Sequence, residues 1–400
     1  MKFIHTSDWH LGARLHNYDR SDEETDFFRQ LADLVDKEHP DALVVSGDIF
    51  HTGAPGNDVA KSFTDHLLDV VSRCPEMETV VIAGNHDSYS RLVIDEALWK
   101  HCRVHVFGTP VEDEAGNAIL DGNIVALTGK GYIAAVPFCH ARNFPMVTDS
   151  GGNDRAKAYF AALSRRIAEL NATKLPCVLM AHLAAGKDTS FTGQDRLGVI
   201  GGEECVDPET LGTGYDYIAL GHIHCPQWVK GGRKTVRYCG TPRAIHFDEA
   251  YSHGVDIVEV VAGQDPVLRT EVIKPMRDLV TVGGRDGVAF EDALKAVEQL
   301  DDPSETYVRL NVALDEGGVV GADWAERARL ACSAKNYRYC VINPIRKETA
   351  EKAASAKKVL TVAELKELSN EKVVDILSEK YSLTPRQREL IKALMKEMDA

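Results

Sequence analysis

Short apolar runs separated by polar, glycine-containing turns punctuate the first 250 residues: Phe3–Ile4, Ala42–Val45, Val80–Ala83, Cys177–Ala181 and Tyr217–Leu220. Runs of this length and bounding predict buried strands. Between the first two, Phe27, Phe28, Leu31, Leu34 and Val35 recur at helical spacing and predict an amphipathic helix. Strands alternating with helices favour an α/β sandwich for this part of the chain. Two further stripes, Val59-Phe63-Leu67-Val70-Val71 and Leu92-Ile94-Leu98-Trp99, predict helices whose apolar faces ordinary core packing explains.

The texture changes near Pro275. Strand-like Leu279–Val282, helix-like Phe290–Leu300, strand-like Tyr307–Leu314, helix-like Trp324–Ala334 and strand-like Arg338–Ile342 predict a small α+β unit closed by Pro344. The expected organisation is a first domain over 1–275, an α+β cap over 276–346, a linker over 347–357 rich in Ala, Lys and Glu, and a C-terminal helix pair over 358–400. Capping-box patterns at Thr361–Glu364 and Thr384–Gln387, with Pro385 in a first-turn position, mark the two terminal helices.

Composition narrows the function classes. The 400 residues are 44% hydrophobic, enough for a full core, and carry a formal net charge of −15, which argues against unspecific coating of polyanions. Residues 351–400 alone carry ten Lys or Arg against nine Asp or Glu. Nine scattered cysteines without a C-x-x-C pair suggest neither a disulfide framework nor a zinc ribbon. With no secretory leader pattern and no long apolar span, the expectation is a cytoplasmic chain without a membrane partner. All fifteen histidines lie between His5 and His253, so imidazole chemistry belongs to the first domain.

Each of the five apolar runs is followed within a few residues by a metal-capable side chain. In order these are Asp8 and His10, Asp48 and His51, Asn85-His86-Asp87, His182, and His222 with His224. The carboxyl ends of strands are where ligands gather in α/β folds, so five segments point at one place. Glycine before three of them, Gly47, Gly84 and Gly221, is expected to let the backbone turn sharply. Two Asp, one Asn and four His supply the bridging carboxylate, neutral imidazoles and oxygen donors that two divalent cations need, and His86 is left over. Mixed nitrogen and oxygen donors suit manganese, iron or zinc better than magnesium or calcium. Manganese is the metal expected of the chain, with iron and zinc left open by the donors themselves.

The ordered set D-x-H, GD, GNHD, a lone His and GHxH resembles the calcineurin-like metallophosphoesterase superfamily. Gly47-Asp-Ile-Phe-His51 and Gly221-His-Ile-His-Cys-Pro-Gln227 are similar to its DNA-repair nuclease branch, as are Tyr238-Cys-Gly-Thr-Pro-Arg243 and Phe247-Asp-Glu249. The resemblance implies a metallophosphoesterase β-sandwich flanked by helices. One cation would take Asp8, His10, Asp48 and His224, and the other Asp48, Asn85, His182 and His222, with Asp48 bridging. It implies that His86 protonates or stabilises the leaving oxygen and that His51 helps position DNA. Asp87 would either orient His86 or cap a strand end. The implied activity is exonucleolytic on duplex DNA and endonucleolytic on single-stranded or hairpin DNA, in repair, replication and recombination at the nucleoid. The implied partners are a second copy of the chain and a coiled-coil ATPase docked through 358–400, together a heterotetramer. A phosphoesterase of the same fold acting on nucleotides or phosphoproteins is the competing reading. A non-enzymatic scaffold is disfavoured by the intact donor set.

Overall fold

The computed structural model describes residues 1–147, 154–186, 205–229, 235–301, 305–315, 318–346 and 391. Two six-stranded sheets form its centre. The first has the order β12-β11-β1-β2-β3-β4, built from β1 (Lys2–Thr6), β2 (Ala42–Val45), β3 (Glu78–Ile82), β4 (Val104–Phe107), β11 (Gly254–Glu259) and β12 (Val267–Val272). The second has the order β5-β6-β7-β8-β10-β9, from β5 (Ile124–Leu127), β6 (Gly131–Val136), β7 (Cys177–His182), β8 (Tyr217–Gly221), β9 (Gln227–Trp228) and β10 (Val236–Tyr238). β1 to β4 pair in parallel, as do β6, β7 and β8.

Burial on both faces explains why these strands read as unbroken apolar runs. Phe3, Val44 and Val80 of the first sheet pack with Val178, Met180 and Tyr217 of the second in one cluster between the sheets. Their neighbours Ile4, Leu43, Val45 and Val81 face the other way, against helices α1 (Ser21–Glu38) and α2 (Asn57–Ser72). Leu179, Ala181, Ile218 and Leu220 do the same against the helix α5 (Arg155–Leu170). The α/β sandwich expected from the pattern is therefore the observed architecture.

The second apolar stripe behaves differently. It forms two single turns, α3 (Tyr89–Leu92) and α4 (Glu96–Trp99), instead of one helix. A turn over Val93–Asp95 forms the joint. Leu92 and Trp99 are buried, whereas Ile94 and Leu98 are 78% and 68% exposed.

A three-stranded sheet of order β13-β14-β15 follows, from β13 (Leu279–Val282), β14 (Tyr307–Leu314) and β15 (Arg338–Arg346), with helices α6 (Phe290–Gln299) and α7 (Trp324–Ala334). β15 runs through Pro344 instead of stopping before it. Among the described residues it is an edge strand, the place in a sheet where proline is found. Residues 1–312 and 320–344 form one compact unit; 313–319 and 345–400 form another. Within the first unit, buried Tyr307 donates its hydroxyl to Glu23 Oε1 at 2.7 Å and Tyr18 donates to the Tyr339 carbonyl at 3.0 Å. Arg309 Nη1 donates to Asp248 at 2.8 Å. These bonds tie the small sheet to α1 and to the segment after β10. The linker and helix pair expected over 347–400 lie outside the described residues except for 391.

Candidate metal centre

The parallel strands β1, β2, β3, β7 and β8 end at one pole of the sandwich, and the loops leaving them are laced together by backbone bonds. Asp8 N–H donates to Gly47 O at 2.9 Å, His10 N–H to Asp48 O at 3.0 Å, and His51 N–H to Leu11 O at 3.0 Å. The turns are tight. Asp8, His10, Asp48 and His222 all sit at positive φ (53°, 46°, 52° and 98°), a region that costs a residue with a Cβ. Four such residues within one donor set mark a site whose side-chain directions are held by the surrounding fold.

The three glycines act in two ways. Gly47 has φ +92° and so supplies the turn anticipated from its place in the motif. Gly84 and Gly221 are there for close approach: a Cβ on Gly84 would lie 2.0 Å from Asp48 Oδ1, and one on Gly221 would lie 1.9 Å from the Ser46 carbonyl oxygen. For these two, the sharp turn expected from sequence gives way to a packing requirement.

Asp8, His10, Asp48, His182, His222 and His224 are brought together and buried, none more than 6% exposed. Asn85, His86, Asp87 and His51 stand half-buried at their edge. His10 Nε2 lies 3.1 Å from His224 Nε2 and 3.6 Å from Asp48 Oδ2. On the other side of the carboxylate, His182 Nε2 is 3.5 Å from Asp48 Oδ2 and 3.0 Å from Asn85 Oδ1, and His222 Nδ1 is 2.9 Å from Asn85 Oδ1. Ligand atoms of Asp8, His10 and His224 lie within 4.8 Å of one another, as do those of Asp8, Asp48 and His182, and those of His10, His51 and His86.

The donor directions fit cations. His182 Nδ1 donates to the Ser46 carbonyl at 2.8 Å, so the neutral ring turns a lone pair on Nε2 toward Asn85 Oδ1 and Asp48 Oδ2. Three acceptors facing one point require positive charge between them. In their own company the groups meet this with a proton: burial works to lower the His182 pKa, but the Asp48 carboxylate outweighs it and raises it to about 9. Burial likewise favours a protonated Asp48, yet the His182 imidazole holds that carboxyl well below its usual range. Burial raises Asp8 and lowers His10 and His222, the last to about 3, so these imidazoles present lone pairs near neutral pH.

Glu249, which the sequence shows only within the Phe247–Glu249 motif and without an assigned role, belongs to the site. Its Oε1 accepts from His224 Nδ1 at 2.8 Å, which turns the His224 Nε2 lone pair into the cluster, and its Oε2 accepts from Ile245 N–H at 2.7 Å. A carboxylate behind a ligating imidazole fixes its tautomer and raises its basicity. Glu249→Gln is therefore expected to weaken divalent metal affinity by about 10- to 100-fold while leaving melting in chelator within a degree or two. Titration calorimetry against manganese measures the former, and unaltered affinity would remove Glu249 from the site.

Asp87 turns its carboxylate to the backbone. Its carboxylate accepts three backbone N–H groups, from Gly84 at 2.8 Å, Phe50 at 2.9 Å and Ile49 at 3.0 Å, and so staples the loop after β2 to the loop after β3. Burial, with Asp48 nearby, still pushes its pKa up to about 7. The atom that orients His86 is the His51 carbonyl oxygen, which accepts from His86 Nδ1 at 3.0 Å. The His51 and His86 rings stack with centroids 5.9 Å apart.

The family profile described as calcineurin-like phosphoesterase matches residues 1–226. Among curated proteins, the chain is similar to the SbcD component of the SbcCD nuclease of Rhodobacter capsulatus, with 32% identity over 278 residues, 66% of this chain and 68% of that protein. The same component from Bacillus subtilis is 28% identical over 297 residues, covering 72% and 74%. That of Escherichia coli K12 is 30% identical over 265 residues, 62% of each.

Proposed function

Since the chain belongs to the calcineurin-like phosphoesterase family, and its curated relatives are nuclease components, we propose that the strand-end cluster is a two-metal centre that hydrolyses DNA phosphodiesters. The chain is a nuclease of the SbcD kind, a hydrolase that uses divalent metal. The observation that carries the site reading is the position of the Asp48 carboxylate between His10 on one side and His182 on the other.

In this reading Asp8, His10, Asp48 and His224 hold one cation and Asp48, Asn85, His182 and His222 the other. Two divalent cations there would supply Lewis-acid activation of water and neutralise charge developing on the phosphoryl oxygens. The protein's own groups do the rest. Glu249 and the Ser46 carbonyl fix the tautomers of His224 and His182. His86, anchored through Nδ1, keeps Nε2 to give a proton to the leaving oxygen. His51, stacked beside it, borders the path along which DNA enters. Manganese is the proposed metal, one of the three, with iron and zinc, that a mixed imidazole and carboxylate donor set admits. Purified protein with manganese should cut end-labelled duplex DNA and bis(p-nitrophenyl) phosphate and leave a phosphopeptide intact. Phosphopeptide turnover with DNA uncut would assign it to the phosphoprotein reading.

The relatives' name implies an SbcC partner, and the proposed docking segment is 358–400. Deleting it should leave metal binding and cleavage of a small diester unchanged while abolishing association with the coiled-coil ATPase in a pull-down. Persisting association would overturn the assignment. A homodimer is proposed through the surface around α2, α3 and α4, where Leu68, Tyr89, Ile94 and Leu98 are 40%, 62%, 78% and 68% exposed. Apolar exposure of this kind marks association surfaces. The double substitution Ile94→Glu with Leu98→Glu is expected to yield a monomer by light scattering with an unchanged melting temperature; a persisting dimer would place the interface elsewhere.

A further inference from the structure

The turn that carries Asp8 and His10 is unfavourable on its own. Asp8 and His10 sit at φ 53° and 46° and Gly12 at 81°, so left-handed residues recur along it and two of them carry a Cβ. A buried ion pair grips this turn from behind. Glu24, in the first turn of α1, is 4% exposed and Arg243, in the segment after β10, is 6% exposed; Arg243 Nη2 donates to Glu24 Oε1 at 2.8 Å. The same carboxylate oxygen accepts the Gly12 N–H at 2.9 Å, and Arg243 Nη2 also faces the Trp9 and His10 carbonyls at 3.4 Å each. The pair thus meets the turn through the backbone of residues 9, 10 and 12.

The segment bearing Arg243 also serves the other side of the same half of the centre, because Glu249 further along it orients His224. The segment is itself fastened: Arg20 Nη1 donates to the Ala244 carbonyl at 2.7 Å, and Thr241 Oγ1 donates to the Arg243 carbonyl at 2.9 Å. Desolvating two charges offsets most of their attraction, so a buried pair adds little net stability over apolar residues of similar size. What it does here is fix backbone. We propose that Glu24 and Arg243 are positioning residues for the cation among Asp8, His10 and His224, holding the turn in its left-handed conformation so that the Asp8 carboxylate and the His10 imidazole face His224. The inference rests on the two-metal reading and adds an asymmetry to it: the half formed by Asn85, His182 and His222, where the Ser46 carbonyl holds the His182 ring, does not depend on the pair.

Arg243→Met and the double variant Glu24→Leu with Arg243→Met would be compared with the native full chain by manganese titration calorimetry, by hydrogen exchange in chelator and by thermal melting. The single variant leaves Glu24 buried and unpaired and should melt lower. The double variant, with apolar residues of similar size in both places, should melt within a few degrees of native. In it, one of the two manganese-binding steps should weaken by about 10- to 100-fold while the other keeps its native affinity. In chelator, the amides of residues 8–12 should exchange about 10-fold faster than in native protein, since Gly12 loses a charged acceptor, and this reports the grip independently of any cation. Native affinity for both manganese ions, or unaltered exchange in the turn, would overturn the proposal. Equal weakening of both steps, or a double variant that melts far below native, would make the pair a general support of the fold and overturn it as well. A native chain that binds fewer than two manganese ions would instead overturn the two-metal reading on which the proposal rests.

Discussion

Asp48→Ala is expected to deplete both cation positions and to reduce DNA cleavage by about 10³-fold or more, the several kcal/mol that paired cations contribute at a phosphoryl group. Asp48 is the carboxylate that faces both halves of the cluster. Its Oδ2 lies 3.6 Å from His10 Nε2 and 3.5 Å from His182 Nε2, while its Oδ1 accepts from His86 N–H at 2.9 Å. Removing it leaves neither half a shared anion. The fold should survive, because the strands are held by the apolar clusters on both faces of each sheet. One local cost is backbone strain: Asp48 sits at φ 52°, which Asp and Asn tolerate better than Ala. Asp48→Asn is the control that keeps this tolerance and the side-chain volume while removing the charge. Mass spectrometry of purified variants measures metal per chain. Two fully occupied metals in either variant would remove Asp48 from the bridging role.

His86→Asn should separate binding from chemistry, keeping metal content intact while lowering turnover by roughly 10² to 10⁴. The His86 ring hangs on the His51 carbonyl, outside both proposed ligand sets, with centroids 4.9 Å from the His10 ring. It is thus close enough to act on an oxygen bound at the centre without being needed to hold the cations. Loss of metal in proportion to activity would instead make it a ligand.

The parts of the molecule that were legible in the sequence are those whose physics is local. β2 and β7 read as continuous apolar runs because both faces of each strand are covered, and α1 shows its stripe because one face meets the first sheet. β12 could not be found in this way: it is an edge strand with Val267 and Val272 exposed, so no run or alternation marks it. The convergence of the candidate donors was legible because each follows a strand, and the topology needs only to bring strand ends to one pole. What orients them was not. Glu249 is 25 residues from the imidazole it holds, and the Ser46 and His51 carbonyls are backbone atoms that carry no sequence signal. Asp87 was visible as a carboxylate next to a histidine, but its partners are three N–H groups from two loops, a matter of how the loops meet. The division of α3 from α4 depends on a joint at Val93 and Ile94 that the apolar spacing alone conceals.

Anomalous diffraction from crystals of the full chain equilibrated with manganese tests the two-metal reading most directly. Two peaks roughly 3.5 to 4 Å apart are expected, one among Asp8, His10 and His224, the other among Asn85, His182 and His222, with the Asp48 carboxylate between them. A single peak, or a pair coordinated by His10, His51 and His86 with Asp48 unliganded, would contradict it.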